Sequence, residues 1–157
     1  MVDIRIAPGS RRHPQFNRDE LERWLPESEI AYRWEQRLGG FRKLPPHSPD
    51  VALANASFRA YAAHMRTPDF EAAMHELLGG VRSEPTAVMC SESVWWRCHR
   101  RLVADHAVLV DGVEVRHLMP DGRLSEHRPT EGARVVGGRL VYDAPTEPPL
   151  PLGGAPR

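Results

Sequence analysis

The sequence predicts an α/β domain with a mostly parallel sheet and a C-terminal β-hairpin, and three observations carry that expectation. Val2–Ile6 alternates as a short strand almost at the first residue. The apolar run Thr86–Cys90 reads as a buried strand that hands over, through a short loop, to a helical pattern. Ala133–Val136 and Arg139–Tyr142 flank Gly137-Gly138, the two-glycine turn of a hairpin. Strands that alternate with helical segments are the pattern of βαβ units, whose strands run parallel. At 157 residues the chain fits one domain, given an ordinary domain size of about 150. That domain is expected over residues 1–143, because 144–157 is rich in proline and glycine and is expected to be disordered or extended.

Taken in order, the first strand stops at Ala7-Pro8-Gly9, and the following loop carries Arg11, Arg12 and His13. Asn17 with Glu20 three residues later predicts a capped helix whose apolar stripe is Leu21, Trp24 and Leu25, closed by Pro26. Ile30–Trp34 reads as a second strand. A long connection through Gly39-Gly40 then exceeds the usual loop length of about 4 to 6 residues, which points to a functional loop or to surface slack. Phe58, Tyr61, Ala62 and Met65 share one face of a helix opened by Asn55. Thr67-Pro68 restarts a helix through Phe70, Ala73, Met74, Leu77 and Leu78, and Gly79-Gly80 is expected to end it. After the central strand, a helix is expected from about Trp96 to Val110. Val113–Leu118 then reads as the next strand of the parallel sheet, and the final hairpin as a peripheral addition.

Charge and composition set limits on function. The 21 basic and 21 acidic side chains cancel, so the molecule has no overall field to gather nucleic acid or anionic membrane. No apolar run approaches the ~18 residues of a spanning helix. A cytoplasmic protein is expected, with no membrane partner. Two cysteines make no disulfide framework, and a reducing compartment keeps them as thiols.

The chemistry concentrates in Cys90–Arg101. Cys90 stands where a strand meets the loop before a helix, a position where helix N–H groups and Arg97 can lower a thiol pKa and make it a nucleophile. The alternative role is a small buried apolar residue. Glu92 is a candidate acid/base or anchor, or a structural partner of Arg97 or Arg100. Cations at a helix start oppose its dipole. Arg97, Arg100 and Arg101 there therefore call for a compensating anion, either an internal carboxylate or a bound phosphate. With Arg11, Arg12 and His13, and with Cys98 and His99 beside them, they form a candidate anion site. Cys90, Cys98 and His99 lack the well-spaced fourth donor of a closed zinc site, so neither a metal nor another cofactor is assigned.

Several separated motifs together resemble the bacterial domain-of-unknown-function family numbered 488: Arg12-His-Pro-Gln-Phe-Asn17; Leu38-Gly-Gly-x-Arg42; Asn55-x-x-Phe-Arg-x-Tyr-Ala62 with Met65-x-Thr67; and Met89-Cys-x-Glu-x-x-x-x-Arg-Cys-His-Arg100-x-x-x-Ala-Asp105. The resemblance spans most of Val2–Tyr142. It implies a Rossmann-like, three-layer α/β domain and brings no established activity. The sequence departs from the family's pattern in lacking an initial strand and a Gly-His-Ser-type motif before Val2. If that strand belongs beside Val2–Ile6, its loss leaves an open edge for another copy of the chain to cover. The leading functional expectation is an enzyme binding a phosphate-bearing or other anionic small molecule, nucleotide-like, at the carboxyl ends of the strands. The alternatives are a non-catalytic nucleic-acid-binding module and a structural subunit completed by a partner.

Overall fold

The computed structural model describes residues 1–81 and 83–143. The expectation for the tail, 144–157, falls outside the described residues.

The chain is α/β. Its parallel sheet has three short strands, β1 (Val2–Asp3), β2 (Arg33–Trp34) and β3 (Val88–Met89), in the order β2-β1-β3. Val2 pairs with Arg33 on one side and Val88 on the other. The ladder extends beyond the formal strands through Ile4 N donating to the Met89 carbonyl and Glu35 N to that of Asp3. β1 is thus flanked on both sides. Among the described residues, the edges of this sheet belong to β2 and β3.

Among the described residues, four helices accompany the sheet: α1 (Arg18–Glu27), α2 (Ala56–His64), α3 (Pro68–Val81) and α4 (Arg100–Leu109). None of the described helices is long and apolar enough to cross a membrane. Asn55 caps α2, its side-chain oxygen accepting from Ser57 N at 2.8 Å. Asn17 stands at the start of α1, but its side chain accepts from Ser10 N and so ties down the loop after β1 instead of the helix. Gly79 and Gly80 do not end α3. Neither takes a positive φ, and the helix runs on to Val81. A helical glycine costs about 1 kcal/mol relative to alanine, which a well-packed helix absorbs. The apolar core joins Val2 and Ile4 to Tyr61, Ala62, Met65, Phe70, Met74, Leu102 and Val103.

Two antiparallel hairpins follow among the described residues. Only Arg116–Leu118 of the predicted fourth parallel strand is a strand (β4), and it pairs antiparallel with β5 (Leu124–Glu126). The reason is local. Gly122 takes a φ of 83°, and Met119 and Arg123 close a tight turn, so the strand folds back on its own continuation and does not reach the parallel sheet. The second hairpin, β6 (Ala133–Val136) with β7 (Arg139–Tyr142), has its expected residues and turn, but it is not peripheral. Leu140 and Tyr142 are buried in the core, and Asp50, clamped by Arg66 at 2.7 and 3.0 Å, accepts from the Tyr142 backbone N–H.

Candidate functional site

The strand order decides where a crevice opens. The chain leaves β1 towards β2 on one side, while β3 lies on the other, so the loops that follow β1 and β3 diverge at the carboxyl ends of neighbouring parallel strands. Such a divergence is where open α/β sheets bind ligands. Cys90 is the first residue beyond β3.

The chain then makes a turn of 3-10 helix, Trp95–Arg97, before α4 begins at Arg100. The helix therefore starts later than the sequence pattern predicts, and Cys98 and His99 precede it. Arg100 pins the loop by donating from Nη2 to the Glu92 carbonyl. The result brings Cys90, Cys98 and His99 together, their ligating atoms within 4.8 Å of one another. His99 Nδ1 lies 4.0 Å from the Cys90 sulfur and 3.8 Å from that of Cys98. Cys98 is buried and Cys90 partly exposed. The neighbouring Cys98 thiol, together with the proximity and charge of His99, holds the Cys90 thiol well below the ordinary cysteine range against the opposing effect of burial. The neighbouring Cys90 and burial push Cys98 up. Both directions favour the charge on Cys90 and the proton on Cys98.

The loop after β2 forms the wall opposite. Tyr61, whose hydroxyl donates to the Leu38 carbonyl at 2.6 Å, packs its ring 4.9 Å from that of His99. A Cβ on Gly40 would stand 3.1 Å from His99 Nδ1. Gly40→Ala is therefore expected to displace the imidazole and slow alkylation of Cys90 several-fold at pH 6, read by mass spectrometry, with little loss of stability.

The other residues singled out in the sequence are dispersed. The Glu92 side chain is exposed and pairs with neither Arg97 nor Arg100 among the described residues, because Arg100 takes the backbone carbonyl of Glu92 instead. Arg97 is exposed. Arg11, Arg12 and His13 are exposed as well, and among the described residues no side-chain hydrogen bond or ion pair joins them to the cluster. The buried guanidinium at this end of the sheet is that of Arg5. It grips Asp3, which also accepts from the Tyr32 hydroxyl at 2.8 Å. Alternation within Val2–Ile6 gave no sign of that pair, since Asp3 and Arg5 occupy the same face of the strand and neutralise each other there.

A model of the family described as Domain of unknown function DUF488 matches residues 1–107. The chain belongs to that family. The matched part of this DUF488 domain contains the parallel sheet, the Cys90–His99 cluster and Asp105, and ends within α4, before both hairpins. No curated protein and no solved structure matched the chain.

The cluster of the DUF488 domain supplies three donors of a kind that zinc accepts, but a closed site takes four, and no fourth histidine, cysteine or carboxylate joins them among the described residues. His99 Nε2, the nitrogen that a metal-bound histidine ordinarily directs to an outer partner, is buried without one. Two sulfurs and one imidazole match the ligand number of an open zinc site, and they equally set a thiolate beside an imidazole.

Behind the Trp95–Arg97 turn lies a constellation that sequence reading missed. Asp105, fully buried on α4, accepts at Oδ1 from His127 Nε2 and the Thr130 backbone N–H and at Oδ2 from the Tyr142 hydroxyl, all at 2.8 Å. His127 Nδ1 in turn lies 2.8 Å from His117 Nε2. Burial, with the nearby His127 and Arg100, lowers the His117 pKa to about 4. Since the unfolded ring takes up its proton near pH 6.5 and the folded ring only near pH 4, stability is expected to fall as the pH drops through that window. Urea midpoints measured from pH 7 to 4 should therefore fall less in His117→Phe than in the wild type.

Proposed function

We propose that this DUF488 domain is a thiol-dependent enzyme acting on a small phosphate-bearing or otherwise anionic molecule, bound in the crevice at the carboxyl ends of β1 and β3. The single observation behind this reading is the placement of the Cys90 sulfur, at the mouth of that crevice and 4.0 Å from His99 Nδ1, with Cys98 as a second neighbour. Cys90 supplies the nucleophilic electron pair, Cys98 stabilises the thiolate, and His99 carries the proton to the leaving group. Arg97, exposed at the end of the 3-10 turn, and Arg100 at the start of α4 supply positive charge beside the loop. Arg11 and Arg12 would have to close in with the loop after β1, and Glu92, exposed on the rim, serves as an anchor. The parallel order β2-β1-β3 supports reading the sheet as Rossmann-like, a fold in which the divergence of two loops at the strand carboxyl ends is the ordinary place for a phosphate.

The test is protection from alkylation. Cys90 is treated with iodoacetamide at pH 6 in the presence of inorganic phosphate, a mononucleotide or single-stranded DNA at equal phosphate concentration. Slower modification with phosphate or the mononucleotide supports the small-anion reading. Protection by DNA alone, lost in salt, would replace it with nucleic-acid binding. Equal rates in all three would remove the anion from the account.

A further inference from the structure

Cys90 and Cys98 are the two cysteines of the sequence, and the fold sets their sulfurs within 4.8 Å of each other while both remain free thiols. Their surroundings differ. Cys90 is partly exposed at the first position beyond β3, whereas Cys98 is 2% exposed, between the 3-10 turn and α4. A small reagent from solvent therefore meets Cys90 first. Neither cysteine lies inside a strand or a helix. To form a disulfide the sulfurs must close from within 4.8 Å to a bond length of about 2.05 Å, a shift that the loop between them can take up while the sheet and α4 stay in place.

Two contacts suit Cys98 to act second. The Arg100 backbone N–H, at the start of α4, donates to its sulfur at 3.5 Å. His99 Nδ1 lies 3.8 Å from the same sulfur and 4.0 Å from that of Cys90, within reach of both. The neighbouring Cys90 and burial hold the proton on Cys98, while the Arg100 N–H and guanidinium favour its release. Converting the Cys90 thiolate to a neutral species removes the charge beside Cys98, so its proton leaves more readily after Cys90 has reacted. An accessible thiolate with a second thiol at hand is the arrangement of cysteines that peroxides oxidise reversibly.

We propose that Cys90 is oxidised by hydroperoxides and that Cys98 resolves the product as an internal disulfide, a reversible block on the thiol site. This rests on the thiol reading above and adds the regulation of the same site. The Cys90 thiolate attacks one oxygen of the hydroperoxide. The S–O bond forms, the O–O bond breaks, and the leaving hydroxide or alkoxide takes a proton from solvent. The Cys98 sulfur then attacks the sulfenic sulfur of Cys90. The S–S bond forms, the S–O bond breaks, and the departing oxygen leaves as water with the Cys98 proton, which His99 is placed to pass on. The two thiols together lose two electrons, and one hydroperoxide becomes an alcohol, or water, and one further water. The bridged site has no nucleophile, and an external dithiol restores it by thiol–disulfide exchange.

The test treats the whole chain with hydrogen peroxide at pH 7, removes the peroxide with catalase, blocks remaining thiols with iodoacetamide, and reads the intact mass and the tryptic peptides. Arg97 lies between the two cysteines, so trypsin separates them unless they are bridged. The wild type is expected to lose the mass of two hydrogen atoms, to yield the Cys90 and Cys98 peptides as one linked pair, and to lose alkylation at both. Dithiothreitol should restore all three. In Cys98→Ser, dimedone should instead trap Cys90 as the sulfenic acid. A sulfinic acid on Cys90 of the wild type with Cys98 still free, a bridge between two chains, or no oxidation at all overturns the proposal. Alkylation of the untreated chain at pH 6 separates the two ideas. If Cys90 alkylates there but does not bridge, the disulfide alone falls. If Cys90 shows no preference over Cys98, the thiol reading falls and takes the disulfide with it.

Discussion

Asp105→Ala is expected to destabilise the protein by about 3–5 kcal/mol, the range for removing one side of a buried, charge-assisted network. The carboxylate is fully buried and satisfies three donors from three separate parts of the chain: the His127 ring, the Thr130 backbone and the Tyr142 hydroxyl. Alanine leaves all three buried and unpaired, and it uncouples α4 from both hairpins. At roughly 2–4 °C per kcal/mol for a chain of this size, thermal melting should fall by about 6–20 °C. Asp105→Asn, which keeps the shape and one acceptor oxygen, should lose less. A melting temperature for Asp105→Ala within 2 °C of the wild type would mean that the network does not hold the hairpins.

Cys90→Ala carries the largest expected effect on activity. Because Cys90 is only partly buried, the variant should fold, while any turnover that uses the thiol should drop by on the order of 10³-fold or more, as expected for loss of a nucleophile. Cys98→Ala should be graded. It removes the neighbouring thiol that favours the charged sulfur, so Cys90 should need a higher pH to ionise and should react several-fold more slowly at pH 6. The order Cys90→Ala, Cys98→Ala, wild type, measured with one thiol reagent, distinguishes the roles of the two sulfurs. Equal effects of both would point to a shared function such as metal ligation.

How much of this was legible follows from whether the signal was local. The β6–β7 hairpin was readable because Gly137 and Gly138 both take positive φ, which other residues resist. The caps at Asn55 and Thr67 and the apolar faces of α2 and α3 were readable for the same reason. Val113–Leu118 was misplaced because alternation shows that a segment suits a strand and says nothing of its partner, whereas the turn at Gly122 supplied one close by. The cysteine cluster was half legible: strand, loop and helix located Cys90, but only the 3-10 turn brings Cys98 and His99 back beside it. The expected pairing of Glu92 with Arg100 failed because a backbone carbonyl is invisible to charge counting. The Asp105–His127–His117 chain was illegible. Its histidines meet through the register of β4 and β5, where His117 faces Ser125 and His127 follows two residues later, and Asp105 entered only as the last residue of a motif.

The central claim is that Cys90 is a thiolate set apart from Cys98 by its surroundings, and the most direct measurement is the rate of iodoacetamide alkylation of each cysteine from pH 4 to 10, resolved by peptide mass spectrometry. The account predicts that Cys90 reacts at a nearly constant rate down to pH 6 and that Cys98 stays unmodified until the pH is strongly alkaline. If both cysteines instead titrate together near pH 8.5, the value of a free thiol, the cluster does not activate Cys90 and the thiol-enzyme reading is contradicted.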